Sequence, residues 1–158
     1  MGYTNYWNTK KLTEDQIPAA FWDDCEKALD KVIESGVKLA DGMGENLFKN
    51  GHEIINYTDP AEQHPAIFLN GYNDPEGEDE HYETFCLVFD GSWSFCKTAR
   101  CPYDLAVKVI LMLAQKYDLL VDTSDGDISG GDYWSFDGDE TEEEYIRAHD
   151  LLLNLSLI

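Results

Sequence analysis

The sequence is poor in basic residues. It contains 11 lysines and arginines against 32 aspartates and glutamates, which gives a formal net charge of -21 in 158 residues. No lysine or arginine occurs between Lys49 and Lys97, or between Lys116 and Arg147. Nucleic acids and anionic membranes are polyanions, so this imbalance argues against both as direct ligands. A compact domain with this much charge of one sign is destabilised by self-repulsion. The charge is therefore expected to serve a purpose, which is solubility, the binding of a cation or the binding of a basic partner.

The sequence also lacks long apolar runs. No stretch reaches the length of about 18 apolar residues that a membrane-spanning helix needs. The first residues have neither the basic segment nor the apolar segment of a signal peptide. Without a secretion signal, the cysteines are expected to be reduced thiols; they are Cys25, Cys86, Cys96 and Cys101. These features predict a cytoplasmic protein that does not bind membranes.

Catalytic motifs are missing as well. There is no G-x-S-x-G, no P-loop and no G-x-G-x-x-G in the chain. His81-Tyr82-Glu83 has the H-x-E pattern of zinc deaminases, but the C-x-x-C pair that this chemistry needs does not follow. We therefore predict no cofactor, and we favour a binding function over an enzymatic one while leaving both open.

The composition can nevertheless build a core. Hydrophobic residues make up 43% and aromatic residues 13% of the chain, which argues against a disordered acidic protein. The length of 158 residues predicts a single domain over 1–158.

The hydrophobic pattern predicts the element order β-α-β-β-β-α-β-α. Strands are expected at 2–8, 66–71, 83–89, 93–98 and 119–123, with a further short strand at 53–57 inside an otherwise irregular 41–65. Helices are expected from the Thr13 capping box to Ser35, after Pro102, and over 145–157 behind a second capping box at Thr141. Asp90-Gly91 predicts a hairpin turn. The fold class is therefore α+β, an antiparallel hairpin meander packed against two to three helices.

Three stretches of the chain are distinctive: GYTNYW at 2–7, FCKTAR at 95–100 and PYD at 102–104. With them the chain resembles a family of small uncharacterised proteins of bacteriophages and bacteria. The likeness extends from Gly2 to the SDGD segment at 124–127. It implies a phage or mobile-element origin and action inside the cell, and it brings no known activity. Members often carry His where this chain has Asn5.

The acidic residues cluster in two segments, 74–80 and 122–144. We expect the carboxylates of these segments to contact a basic partner surface. The predicted partner-binding residues are Asp74, Glu76, Glu78, Asp79, Glu80, Asp137, Asp139, Glu140, Glu142 and Glu143. A net charge of about 2 to 8 is enough to keep a small domain soluble, so solubility alone does not account for this excess.

The segment 97–104 offers a second candidate site. It joins a strand to a helix N-terminus, where free backbone N–H groups and the helix dipole attract anions. Lys97 and Arg100 are therefore predicted to bind a phosphate or carboxylate, unless both pair with neighbouring acids. The same position is expected to favour a thiolate at Cys101.

The loop at 125–139 offers a third candidate site. Asp125-Gly126-Asp127-Ile128-Ser129-Gly130 matches the first half of an EF-hand loop, but position 12 is Phe136 instead of the required Glu. A full EF-hand is excluded. A weaker divalent-cation site remains as a candidate, with the ligands Asp122, Asp125, Asp127 and Asp132.

We therefore expect a phage-type accessory protein that acts as an acidic binding module. Duplex DNA carries one negative charge per about 1.7 Å of axis, and clustered carboxylates can imitate that spacing. Such a protein would inhibit a basic host defence or nucleic-acid-binding protein by occupying its groove. Two alternatives remain open: a small ligand-binding protein or enzyme that uses the helix start at 97–104, and a divalent-cation-binding module.

Overall fold

The computed structural model of the protein describes residues 3–57, 59–121, 134–138 and 141–158. The helices are α1 (Ala19–Glu34), α2 (Gly51–Asn56), α3 (Asp104–Lys116) and α4 (Glu143–Asn154), with a 3-10 turn at Glu14–Gln16. The strands are β1 (Thr4–Asn8), β2 (Leu39–Ala40), β3 (Ala66–Gly71), β4 (Phe85–Val88), β5 (Trp93–Lys97) and β6 (Trp134–Phe136). This arrangement confirms the α+β class. Within these residues, no helix has both the length and the apolar character needed to cross a membrane.

The strands form two three-stranded antiparallel sheets. The order is β5-β1-β6 in the first sheet and β2-β3-β4 in the second. In the first sheet Tyr6 lies opposite both Phe95 and Ser135. Because side chains alternate between the two faces of a strand, Trp7 points the other way and is fully buried. Its ring meets the ring of Phe85 edge-on at 5.2 Å between centroids, which joins the two sheets in one core.

Helix α3 is the central buried helix. Most of its side chains are buried, and those of α1 are buried on one stripe only: Phe21, Cys25, Ala28, Leu29 and Val32. That stripe repeats every three to four residues, which is the pattern of an amphipathic helix on a core. All four cysteines are free thiols.

The predicted strand at 53–57 is wrong, because this stretch belongs to helix α2. The side chain of Asn50 accepts a hydrogen bond from the backbone N–H of Glu53 at 2.9 Å and caps the helix. Asparagine is among the preferred N-cap residues. The capping signal at Asn50 was present in the sequence, but a helix of six residues is too short to show a hydrophobic period.

The predicted strand at 119–123 is also wrong within the described part of the chain. Only a single bridge forms there, between Thr9 and Leu120. The partner of β1 on that side is β6, which lies inside the stretch 125–139 that the sequence predicted as a loop. The alternation of Trp134 and Phe136 around Ser135 is the strand signal, and the many glycines and aspartates before it concealed it.

The predicted hairpin of β4 and β5 does not form either. The turn at Asp90-Gly91 is present, with Gly91 at φ 83° and Asp90 Oδ1 accepting from the backbone N–H of Ser92 at 3.1 Å. However, β5 pairs with β1 and β4 pairs with β3, so the turn connects two sheets. Tyr6 of β1 stacks on Trp93 of β5 at 6.3 Å. Such cross-strand aromatic pairs stabilise one pairing over another.

Candidate functional site

The junction between β5 and α3 is a tight turn at 99–101. Ala99 and Arg100 have φ angles of 50° and 59°, in the left-handed region that non-glycine residues seldom occupy. The backbone N–H of Thr98 donates to the carbonyl of Tyr3 at 2.8 Å, and that of Cys101 donates to the carbonyl of Thr98 at 2.9 Å. These bonds hold the turn against the end of β1 and leave Arg100 exposed.

A closed polar cluster supports this turn. Asp104 Oδ1 accepts hydrogen bonds from Asn5 Nδ2 at 2.7 Å and from Thr98 Oγ1 at 2.8 Å. Asp104 Oδ2 accepts from Lys108 Nζ at 2.8 Å, and the same ammonium donates to Asn5 Oδ1 at 2.9 Å. All four side chains are buried. Since buried polar groups cost free energy unless they are hydrogen-bonded, their mutual satisfaction ties β1, the turn and α3 together.

Lys108 carries the positive charge of this cluster. Burial lowers the pKa of its ammonium, while the negative charges of Asp104 and Glu142 act in the opposite direction. Its Nζ lies 4.2 Å from the ring centroid of Tyr3 and 4.6 Å from that of Phe136. With no exposed surface, Lys108 is a positioning residue and does not contact a ligand.

Arg100 faces the first turn of α4. Its Nη1 lies 2.7 Å from Glu142 Oε1 and 4.0 Å from Glu144 Oε2, and its guanidinium lies 4.5 Å from the ring centroid of Tyr3. Glu142 also caps α4 by accepting from the backbone N–H groups of Glu144 and Tyr145, a role predicted for Thr141. Partial burial raises the pKa of Glu142, but hydrogen bonds from Glu144 and Arg100 outweigh burial and hold that pKa at about 2.

The acidic loop at 74–80 borders the other side of the turn. A Cβ added to Gly71 would overlap the carbonyl oxygen of Glu80, so the loop packs directly on the end of β3. Burial raises the pKa of the Cys101 thiol, and the charges of Glu80 and Asp79 raise it further. The Cβ added to Gly71 would also lie 2.9 Å from the ring of Tyr103, two residues after Cys101, so Glu80 packs close to the turn.

Side-chain contacts hold the loop in shape. Asp74 Oδ2 lies 2.9 Å from Lys38 Nζ, and Asp74 Oδ1 accepts from the backbone N–H of Glu76 at 2.9 Å. Asp79 contacts the ring of His81. These contacts hold the backbone of the loop and the carboxylates of Asp74 and Asp79 in place.

The two acidic segments thus lie on the two sides of one turn. We call this surface the acidic end and define it by residues 74–80, 99–101 and 142–144. Its exposed acids are Glu76, Glu78, Asp79 and Glu143, and its half-buried acids are Asp74, Glu80, Glu142 and Glu144. Asp74 and Glu142 are neutralised by Lys38 and Arg100, so the exposed carboxylates dominate the charge of the surface.

One of the predicted partner-binding residues, Asp137, lies elsewhere. Asp137 accepts a hydrogen bond from the Tyr6 hydroxyl at 3.2 Å, beside the first sheet. Asp139 and Glu140 lie outside the described residues. The remaining predicted residues all belong to the acidic end, which brings them together although the sequence separates them by more than 60 positions.

The four residues of the predicted divalent-cation site, Asp122, Asp125, Asp127 and Asp132, all lie outside the described residues. Their role stays a prediction. In the part of the chain that the structure describes, no group of three or more histidine, cysteine, aspartate or glutamate side chains could hold a metal ion.

The start of α3 was the predicted anion site. There Arg100 is bonded to Glu142, and the carboxylate of Asp104 is bonded to Asn5, Thr98 and Lys108. A thiolate at Cys101 was expected, and that expectation is wrong, because burial and nearby carboxylates raise the pKa of the thiol. The anion-binding role of Lys97 and Arg100 remains an untested prediction.

Sequence reasoning missed the buried cluster around Asp104. One local signal was available: Asp104 and Lys108 form an i,i+4 ion pair within an otherwise apolar helix. The part played by Asn5 had no local signal, because Asn5 comes from a strand 99 residues earlier in the chain.

Comparisons of the chain with family models, with curated proteins and with solved structures found no match. The resemblance to phage and bacterial proteins therefore stays a prediction, and so does the cytoplasmic location.

Proposed function

We propose that this protein binds a basic protein surface through its acidic end. The proposal is supported above all by the convergence of two acidic segments, distant in the sequence, on the two sides of the 99–101 turn. Arg100 joins one segment through Glu142, and Glu80 of the other segment packs at Gly71 beside Tyr103, which follows the turn. A surface of this kind suits a partner rich in lysine and arginine.

The acidic end is also held in place before any partner arrives. The buried Asp104–Lys108 pair fixes the turn, Glu142 caps α4, and Asp74 is bonded to Lys38. Binding therefore orders few additional groups. A preorganised surface loses less free energy on association than a flexible acidic tail does.

The proposed mechanism is occlusion without chemistry. The exposed carboxylates take the place of phosphate groups in the groove of a basic protein, and nucleic acid is displaced. In a phage-type accessory protein, the partner would be a host defence protein or another nucleic-acid-binding protein. Because the attraction is electrostatic, association is fast and weakens as salt is added.

The test compares two variants that remove the same number of charges. The first is Glu76→Gln/Glu78→Gln/Glu143→Gln, which neutralises exposed side chains of the acidic end. The matched control is Asp15→Asn/Asp23→Asn/Asp118→Asn, which neutralises exposed side chains outside it. Each protein is used as bait in a bacterial lysate at low and at high salt, and the captured proteins are assayed for nucleic-acid binding in the presence of the bait.

The native protein and the control variant are expected to capture a basic protein and to displace nucleic acid from it. The acidic-end variant is expected to lose both abilities. Capture of only neutral or acidic proteins would contradict the proposal, as would equal capture by all three baits or capture that persists at molar salt.

A further inference from the structure

A cleft lies at the other end of β3 from the acidic end. It has a volume of about 950 Å³ and is formed by residues 11–14, α1, the end of α2 and the start of β3. Ala66 lines the cleft, whereas Gly71 contacts the acidic end. The two ends of β3 lie about 17 Å apart, and Phe68, which also lines the cleft, lies about 10 Å from Gly71 along the strand. The volume falls in the usual range of small-molecule sites, roughly 300 to 1,000 Å³.

Aromatic rings form the walls of the cleft. Trp22, Tyr57 and Phe68 all line it. Tyr57 meets Phe68 edge-on at 6.4 Å between centroids, and Trp22 is held edge-on against Phe21 at 5.1 Å. The rings are thus fixed by the fold, and Tyr57 remains 40% exposed toward solvent.

Trp22 also brings an unused hydrogen-bond donor. Its Nε1 is buried and has no hydrogen-bond partner among the described residues. An ammonium group has no lone pair and cannot accept from this donor. The indole N–H therefore contributes no hydrogen bond to a cationic ligand, and it serves as a resonance that reports on the surroundings of the ring.

Carboxylates surround these rings. Glu14, Glu26, Asp59 and Glu62 line the cleft, and Lys11 is the only lysine or arginine among the described lining residues. The side chains of Glu26 and Glu62 are only 30% and 28% exposed, so water screens them less than it screens the loop carboxylates of the acidic end.

Two of these carboxylates have an oxygen that can still accept a hydrogen bond. Glu62 Oε1 accepts from the backbone N–H groups of Gln63 and His64, both at 3.0 Å, while Asp59 Oδ1 accepts from the N–H of Ala61 at 2.9 Å. The second oxygen of each carboxylate has no hydrogen bond within the described residues.

The negative potential reaches the neighbouring strand. Burial raises the pKa of the Cys86 thiol on β4, and the charges of Asp59 and Glu62 raise it further. The carboxylates therefore act on the interior of this end of the molecule as well as on solvent.

We propose that the cleft binds an organic cation, an ammonium group attached to an apolar or aromatic body. The carboxylates attract the ammonium, and the faces of Trp22, Tyr57 and Phe68 pack against the body and stabilise the cation through their π-electrons. An anionic ligand is repelled by the carboxylates. An uncharged apolar ligand would remove water from Glu26 and Glu62 without replacing it.

The proposal is tested with three probes of the same shape: 2-phenylethylammonium, 2-phenylethanol and phenylacetate. Each is titrated into isotope-labelled protein while the indole N–H resonances are followed by NMR, with the Trp22 resonance assigned from its loss in Trp22→Phe. The ammonium is expected to move the Trp22 resonance with a dissociation constant of roughly millimolar order. The alcohol is expected to bind about tenfold more weakly, and the acid is expected to leave the resonance unchanged.

Matched variants locate the binding. Glu26→Gln/Glu62→Gln is expected to weaken binding of the ammonium about tenfold. Glu76→Gln/Glu78→Gln removes the same charge at the acidic end and is expected to leave the dissociation constant unchanged. Tyr57→Ala is expected to weaken binding by about fivefold, and Tyr82→Ala, at a tyrosine that is 49% exposed, is the control.

Three results would overturn the proposal: an unmoved Trp22 resonance at millimolar ammonium, equal binding of the ammonium and the acid, or equal losses in the cleft variant and the acidic-end variant. The proposed function does not depend on any of them, because the basic-partner experiment uses other residues.

Discussion

The two ends of β3 carry acidic residues in different surroundings. At the acidic end the exposed carboxylates stand on a loop and on a helix start. In the cleft at the opposite end, half-buried carboxylates lie among Trp22, Tyr57 and Phe68. The first arrangement suits a broad basic surface, and the second suits one cation with an apolar body. Net charge alone would have treated the two ends as equivalent.

The two ends also differ in what holds them. A fully buried ion pair, Asp104 with Lys108, fixes the turn at the acidic end. Edge-on packing of aromatic rings fixes the walls of the cleft. We therefore expect substitutions at the two ends to differ in their effects on stability, on the salt dependence of binding and on pH dependence.

The largest expected effect comes from breaking the buried ion pair. Asp104→Asn leaves the ammonium of Lys108 buried without its counter-ion, which costs roughly 3 to 5 kcal/mol of unfolding free energy. Denaturant unfolding monitored by tryptophan fluorescence measures this loss. Asp118→Asn, which removes an exposed carboxylate bonded to Lys10, is the control and is expected to cost about 1 kcal/mol or less.

A second variant tests whether the stability lost in Asp104→Asn comes from the unpaired charge or from altered packing. In Asp104→Asn/Lys108→Met the unpaired charge is gone, so the double variant is expected to be more stable than the sum of the single losses predicts. Strictly additive losses would mean that the two side chains are not coupled, and the ion pair would not be what fixes the acidic end.

The next largest effect is expected from salt, which should lower the binding affinity at the two sites to different extents. Between about 0.05 M and about 0.5 M salt, affinity of a basic protein for the acidic end should fall by about tenfold or more, because exposed charges are screened. Binding of 2-phenylethylammonium in the cleft should fall by only about threefold, since its carboxylates are partly buried. Isothermal titration at both salt concentrations compares them. Equal slopes would remove the distinction between the two ends.

Acid pH should act on the acidic end through Glu142. Its pKa lies at about 2 in the folded protein against an ordinary value of 4.5. A carboxyl group with a depressed pKa stabilises the fold above its unfolded value, and this contribution is lost as the pH falls through the folded value. The native protein should therefore lose stability between about pH 4.5 and about pH 2 relative to Glu142→Gln.

Thermal unfolding over this pH range measures the difference. Glu143→Gln is the control, because the exposed side chain of Glu143 lies beside Glu142 without forming the cap. If the stability of Glu142→Gln and that of Glu143→Gln depend on pH in the same way, protonation of Glu142 is not the cause of the stability loss in acid.

The smallest expected effect is a gain. Glu76→Gln/Glu78→Gln/Glu143→Gln relieves like-charge repulsion at the acidic end and is expected to raise the unfolding free energy by about 0.5 kcal/mol. The charge-matched variant Asp15→Asn/Asp23→Asn/Asp118→Asn should gain less, because Asp118 is bonded to Lys10. Equal gains would indicate that like-charge repulsion at the acidic end is no stronger than around the three control residues.

Hydrophobic period predicted the long elements well. Helices α1 and α3 and strands β3 and β5 follow from apolar spacing that covers several turns or alternations. The short elements α2 and β6 did not, because six and three residues are too few to show a period. The pairing of β5 with β1 also escaped prediction, since the Asp90-Gly91 turn is compatible with a hairpin and with a crossing between sheets.

The candidate sites were visible in part. The acidic segments can be read directly from the sequence, but their meeting around Arg100 depends on contacts between residues 42 positions apart. The cleft had no sequence signal, because Trp22, Tyr57 and Phe68 come from three elements and each also fits an ordinary core. Contacts between distant elements decide such sites, and local patterns do not report them.

The central claim is that basic surfaces bind at the acidic end. A short arginine-rich peptide titrated into isotope-labelled protein, with backbone amide resonances followed by NMR, tests it most directly. The claim predicts shifts concentrated at 74–80, 99–101 and 142–144, and their loss in Glu76→Gln/Glu78→Gln/Glu143→Gln. Shifts spread evenly over the acidic surface, or concentrated at Trp22 and Tyr57, would contradict it.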